Sequence, residues 1–168
     1  MHRAGQTLTC IALNRTDIRR IFVYSMKSQI QSAPARALRI FIVEDHADTL
    51  KYLALYLRDS GYEVGQARGS SEAIERLQAE DGWDVLLSDL NLPDGDGWKL
   101  MGQLHKLHCA PRIGLAMSGF GMGADKAKSA AAGFRYHLVK PLDPSELDRV
   151  LEQARRDLQE KPGRGGRQ

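Results

Sequence analysis

Cysteine is nearly absent: Cys10 and Cys109 are the only two in 168 residues, and they lie too far apart to suggest a metal knuckle or a disulfide framework. A reducing, cytoplasmic setting is the corresponding expectation. Long hydrophobic runs are missing too, since none approaches the roughly 18 apolar residues that a membrane span requires. No internal repeat or low-complexity tract appears, so nothing points to a solenoid or an array. Acid is scarce at both ends. Residues 1–37 hold Arg3, Arg15, Arg19, Arg20, Lys27 and Arg36 against Asp17 alone, a net +5. Residues 161–168 add Lys161, Arg164 and Arg167, so the overall +3 leaves 38–160 at −5. The basic balance therefore belongs to the ends. They lack interleaved aromatics and a reading helix, so nucleic acid is not an expected partner.

Residues 1–37 show no sustained period. Ile21-Phe22-Val23-Tyr24 could form a short strand in polar, basic surroundings. An Arg-bearing, acid-poor start resembles a targeting peptide, but no cleavage site follows a continuous apolar stretch. Met26 is a second candidate initiator. The expected organisation is a flexible basic extension over 1–37, one domain over 38–160 and a basic tail over 161–168, a length sufficient for a sizeable core.

From Leu38 the texture changes. Arg39-Ile40-Phe41-Ile42-Val43 is an apolar strand that stops on Glu44-Asp45. Ala47 or Asp48 opens a helix with Leu50, Leu53, Ala54 and Leu57 on one face, closed by Gly61. Tyr62-Glu63-Val64 reads as a short edge strand. Ser70 and Ser71 start a second helix, with Glu72 and Glu75 in its first turns and Ile74 and Leu77 inward. A strand over 84–88 runs into Asp89 and the loop Leu90-Asn91-Leu92-Pro93-Asp94-Gly95-Asp96-Gly97. Leu100, Met101, Leu104 and Leu107 form the stripe of a third helix. Ile113–Met117 is a fourth strand ending on Ser118-Gly119, and an Ala-rich helix over 124–132 stops at Gly133. Tyr136–Val139 is a fifth strand ending on Lys140-Pro141. The last helix has Asp143 as N-cap, Pro144 at its first position and Glu146 at its third, with Leu147, Val150, Leu151, Ala154 and Leu158 inward. Five strands alternating with five helices predict an α/β fold, a five-stranded parallel sheet with helices on both faces.

In such a sheet the carboxyl ends of the strands share one edge, where open α/β folds bind ligands. Glu44, Asp45, Asp89, Ser118 and Lys140 collect there. Three crowded carboxylates repel unless a cation neutralises them, and hard oxygen donors suit Mg²⁺. An aspartate beside Mg²⁺ and a lysine can act as nucleophile toward a phosphoryl group. Taken singly, each residue has a bland reading: Asp45 or Asp89 as a turn residue, Ser118 as a loop hydroxyl, Lys140 as a solvated charge. His105, His108 and Cys109 lack a fourth ligand and matching spacing, and read as surface residues. His46 borders the site, while Trp83, Trp98 and Tyr136 read as packing residues.

Four segments together resemble the receiver domain of two-component response regulators: Ile42-Val43-Glu44-Asp45, Leu87-Ser88-Asp89-Leu90-Asn91-Leu92-Pro93-Asp94-Gly95-Asp96-Gly97, Met117-Ser118-Gly119 and His137-Leu138-Val139-Lys140-Pro141. The likeness covers 38–160. It implies a flavodoxin-like (βα)5 fold of strand order 2-1-3-4-5. Asp89 then matches the phosphoacceptor, Asp45 a direct Mg²⁺ ligand, Glu44 a ligand through water, and Asn91 the backbone carbonyl offered to the metal. Ser118 matches the switch hydroxyl and Lys140 the phosphoryl-contacting lysine, and the Lys140–Pro141 bond resembles one that is cis in the family. Phe120 and Asn91 occupy positions that tune hydrolysis. The aromatic switch position holds His137, a departure from the usual Tyr or Phe. The phrasing around Lys140 and Ser118 is similar to receivers that work with hybrid histidine kinases.

The resemblance implies phosphorelay signalling, with a histidine kinase or a histidine phosphotransfer protein as donor and a downstream protein as target. Two alternatives compete. A Mg²⁺-dependent aspartyl-nucleophile phosphatase wants a second acid two residues past the nucleophile, where this chain has Asn91. A receiver-like binding module that never takes phosphate has no need of the intact set of Glu44, Asp45, Asp89, Ser118 and Lys140.

Overall fold

The computed structural model describes residues 36–119 and 123–160. The expectations for the basic extension, the Met26 start, Phe120 and the basic tail fall outside the described residues. The elements run β1 (Arg39–Val43), α1 (Ala47–Asp59), β2 (Glu63–Ala67), α2 (Ser70–Ala79), β3 (Val85–Asp89), α3 (Gly97–Lys106), β4 (Ile113–Ser118), α4 (Gly123–Ala132), β5 (Phe134–Val139) and α5 (Pro144–Gln159). A two-residue antiparallel ladder, Asn91–Leu92 against Gly95–Asp96, stiffens the loop between β3 and α3. The five long strands form one parallel sheet in the order β2-β1-β3-β4-β5. This is the flavodoxin-like order expected above.

Strand side chains alternate between the two faces, and each face has its own apolar layer. Ile40, Ile42, Val85, Leu87, Leu115 and Leu138 pack under α1 and α5. Phe41, Val43, Leu86, Ala116 and Phe134 pack under α2 and α3. β3 is buried along its whole length, as a central strand covered on both faces must be. The apolar stripe expected for α1 is buried residue for residue. At its end Gly61 takes the left-handed φ of +86° that a side chain disfavours. At α5 the Asp143 carboxylate accepts from the Ser145 N–H at 2.8 Å, with Pro144 opening the helix as expected.

Three boundaries differ from the sequence reading. β2 extends to Ala67 instead of stopping at Val64, because Gly65 is a strand residue and not a breaker. A Cβ on Gly65 would fall 2.6 Å from the Trp83 ring and 2.7 Å from the Phe41 ring, so these two edge-packed aromatics exclude any side chain there. β5 begins at Phe134, which is buried, two residues before Tyr136. Leu107 is 44% exposed and not inward, since α3 ends at Lys106 and the chain turns away through His108, whose φ is +57°.

The loop carboxylate Asp94 acts at a distance. α2 has Gly69 at its N-cap and no side chain of its own there. The Asp94 carboxylate instead accepts from the N–H groups of Ser70 and Ser71, both at 2.8 Å. These bonds, the one from Ser71 first, hold the Asp94 carboxyl below its ordinary pKa. Asp94→Ala should lower unfolding stability by about 1 kcal/mol, as loss of a helix cap does. Because the folded pKa is lowered, this contribution is complete above the ordinary carboxylate value and fades as pH falls through the lowered one. Urea unfolding of both forms at neutral and acid pH checks it: the gap between them must narrow on acidification.

Candidate functional site

Each strand delivers its last residues to one edge of the sheet. Glu44 and Asp45 follow β1, Asp89 ends β3, Ser118 ends β4 and Lys140 follows β5. The Lys140 backbone N–H donates to the Ser118 carbonyl at 2.7 Å, and the Leu90 N–H to that of Met117 at 3.0 Å, so the ladder holds these ends in register. The Lys140–Pro141 peptide bond is cis, as the resemblance implied.

Glu44, Asp45 and Asp89 each present a carboxylate oxygen within 4.8 Å of the others. Glu44 and Asp89 are buried and Asp45 is half-buried. Lys140 supplies the compensating charge: its Nζ donates to Glu44 Oε2 at 2.6 Å and to Asp89 Oδ2 at 2.5 Å. Burial acts to lower the lysine pKa, but the hydrogen bonds to Asp89 and Glu44 win and hold it above its ordinary value. Lys140 therefore stays charged throughout the physiological range. The other oxygen, Asp89 Oδ1, accepts from the Asn91 N–H at 2.9 Å. That bond orients the carboxylate and begins the loop ladder, while the Asn91 side chain stays exposed.

Ser118 and His137 meet, with 2.8 Å between Ser118 Oγ and His137 Nε2. On its other side His137 Nδ1 lies 3.1 Å from Ser129 Oγ. Ser129 in turn accepts from the Trp98 indole N–H at 3.0 Å. Trp98 was expected only to pack, and nothing marked Ser129 within an Ala-rich helix. Burial, then the charge of Lys126, pushes the His137 pKa below its ordinary value, with Asp125 opposing. The ring is therefore neutral at pH 7.

His46 is exposed beside the site, as expected. His105 and Cys109 are engaged with the backbone of α3, at 2.9 Å from the Met101 carbonyl and 3.8 Å from that of Leu104 respectively. Among the described residues the acidic trio is the one group arranged to hold a metal ion. Tyr136, read as a packing residue, also donates its hydroxyl to Asp157 at 2.5 Å. Next to Lys140 lies a cleft of about 420 Å³ between α1 and α5, walled by Tyr52, Leu53, Tyr56, Pro141 and Leu147 among others. Sequence periodicity gave no sign of it, because Tyr52 stands outside the apolar stripe of α1.

Residues 40–152 match the family model described as the response regulator receiver domain. The chain belongs to that family. Its relatives include a 14.6 kDa protein of Leptolyngbya boryana named only by its position beside sodA1, 32% identical over 68% of this chain and 87% of that one. The two-component response regulator ARR11 of Arabidopsis thaliana is 34% identical over 73% of this receiver chain. The match spans only 24% of ARR11. Among solved structures, a CheY-like receiver domain protein from Methanospirillum hungatei superposes with a TM-score of 0.66 at 27% identity, covering 74% of this chain and 99% of the other. Receivers are phosphoacceptor switches of phosphorelay signalling and not turnover enzymes, and this receiver carries the acidic cluster such a switch uses. Among the described residues no helix is long and apolar enough to cross a membrane.

Proposed function

We infer that this receiver takes a phosphoryl group on Asp89 from the phosphohistidine of a histidine kinase, hybrid kinases included, or of a histidine phosphotransfer protein, in the cytoplasm. The observation that carries the reading is the buried Asp89 carboxylate held between the Lys140 ammonium and the Asn91 N–H within an acidic cluster. A carboxylate oxygen attacks phosphorus, the P–N bond breaks and the donor imidazole leaves. Lys140 is placed to neutralise charge on the transferring oxygens, and Ser118 to donate its hydroxyl to the bound group. The three carboxylates are hard oxygen donors, which fits Mg²⁺; Glu44, Asp45 and Asp89, with the Asn91 carbonyl, would hold the ion. When bound, Mg²⁺ supplies charge neutralisation at the phosphoryl oxygens.

A phosphoryl group on Asp89 draws in Lys140 and Ser118, which here contact Glu44 and Asp89, and His137, respectively. Movement of Ser118 and His137 then biases the surface of α4, β5 and α5, where a downstream protein binds. The phosphatase alternative is disfavoured because Asn91 stands where a general acid is required, and its backbone N–H is already committed to Asp89.

The α1–α5 cleft is the docking side for the phosphodonor protein, since it is apolar and opens beside Lys140. Tyr52, 69% exposed on its wall, is the residue to test. Tyr52→Ala should slow phosphotransfer from a donor protein by about tenfold, the loss of one aromatic anchor, and leave labelling by acetyl phosphate unchanged. Equal losses with both donors would assign Tyr52 to the site itself and not to docking.

A further inference from the structure

Four polar side chains form one hydrogen-bonded line from the α3 surface to the phosphoacceptor edge: Trp98 on α3, Ser129 on α4, His137 on β5 and Ser118 at the end of β4. The spacings are 3.0 Å from Trp98 Nε1 to Ser129 Oγ, 3.1 Å from there to His137 Nδ1, and 2.8 Å from His137 Nε2 to Ser118 Oγ. The direction of each bond follows from what the end groups can do. An indole N–H donates and never accepts. Ser129 is 1% exposed, and a buried hydroxyl must place its proton on an acceptor. Its oxygen receives the Trp98 proton, so its own proton goes to its other side-chain partner, His137 Nδ1. A neutral imidazole that accepts at Nδ1 carries its one proton on Nε2. That proton is donated to Ser118 Oγ.

We propose that Trp98 and Ser129 are positioning residues that lock His137 in the Nε2–H tautomer, so that the ring presents a donor to Ser118 Oγ at the phosphoacceptor edge. The proposal rests on the reading of Asp89 as phosphoacceptor. It also accounts for an imidazole at this position. Only a ring with two nitrogens can take a proton from α4 on one side and present one to Ser118 on the other. Polarity then runs one way along the line, each donor strengthening the next.

The test is the tautomeric state of His137 in the full-length chain labelled with ¹⁵N-histidine. The long-range ¹H–¹⁵N spectrum is recorded at neutral to mildly alkaline pH, with His137→Gln to assign the ring among the five histidines. The wild-type chain should show a bare Nδ1 and a protonated Nε2. Ser129→Ala removes the proton that holds Nδ1, and Trp98→Phe frees the Ser129 oxygen to accept from the ring. Both variants should become tautomer mixtures, while Ser129→Thr, which keeps the hydroxyl, should restore the wild-type pattern. After labelling with acetyl phosphate and Mg²⁺, Ser129→Ala should lose its phosphoryl group at a rate altered about tenfold, the effect of one misplaced hydrogen bond, and Ser129→Thr at the wild-type rate.

A wild-type ring protonated on Nδ1 would mean that Ser129 donates elsewhere, and would overturn the proposal. So would a tautomer ratio unaltered in Ser129→Ala. If the tautomers behave as stated but the wild-type chain takes no phosphoryl group, the Asp89 reading fails, and the role of this line in phosphoryl binding fails with it.

Discussion

Asp89→Asn should take up no phosphoryl group from acetyl phosphate and Mg²⁺, while the wild-type chain should gain one that is stable in acid and labile in base. The reason is local. Asp89 is the buried carboxylate oriented on both oxygens, by the Asn91 N–H at 2.9 Å and by Lys140 Nζ at 2.5 Å. The amide of asparagine keeps the shape but is not a nucleophile, and its NH₂ cannot accept from Lys140. The lability pattern excludes a phosphohistidine, which is labile in acid, and release by neutral hydroxylamine separates a mixed anhydride from a phosphoserine. Intact-mass spectrometry before and after acid, alkaline and hydroxylamine treatment measures these properties. Undiminished labelling of the variant would move the acceptor to another carboxylate. Continuous release of phosphate from small esters would favour the phosphatase alternative.

Lys140→Met should lose stability in metal-free buffer, and Mg²⁺ should return much of it. Lys140 is the cation that bridges Glu44 and Asp89, both buried, with a third carboxylate from Asp45 alongside. Methionine preserves the length and apolar volume of the side chain, so the change removes charge more than packing. Breaking a fully buried ion pair costs roughly 3–5 kcal/mol. Because the Lys140 side chain is 25% exposed, the expected loss is at the lower end or below, about 2–3 kcal/mol. A divalent ion bound to the acidic trio compensates the same charges and binds the folded chain only, so it stabilises by mass action. Denaturant unfolding of the wild type and variant, each with EDTA and with Mg²⁺, measures the two terms. A metal-free variant as stable as the wild type would show that water, and not Lys140, screens the cluster. In wild type the lysine contribution is complete below its ordinary pKa and lost only as pH rises through the raised folded value.

Much of this was legible in the linear chain for a simple reason. A parallel sheet covered on both faces demands near-continuous apolar strands, and each of them here stops on a polar residue where the sheet ends. Arg39–Val43 and Ile113–Ser118 needed no further information. The local capping signals at Asp143 and Pro144 were equally plain, since a cap depends on residues adjacent in sequence. Gly65 was left outside the second strand, whose reading ended at Val64. Its role is set by the rings of Phe41 from β1 and of Trp83 from the segment before β3, brought over it. Leu107 fitted the helical period but fell beyond the last turn, where the period no longer applies.

The order of residues alone specifies the alternating architecture and the identities of Glu44, Asp45, Asp89, Ser118 and Lys140, because burial pattern and strand ends are written locally. It leaves open what each polar group bonds to. That Asp94 caps a helix 23 and 24 residues away, that Lys140 bridges carboxylates 51 and 96 residues distant, and that Trp98 reaches His137 through Ser129 are settled only once the sheet is assembled. Hydrogen bonds depend on direction at a few ångströms, and chain segments far apart acquire that relation only through the packing that joins them.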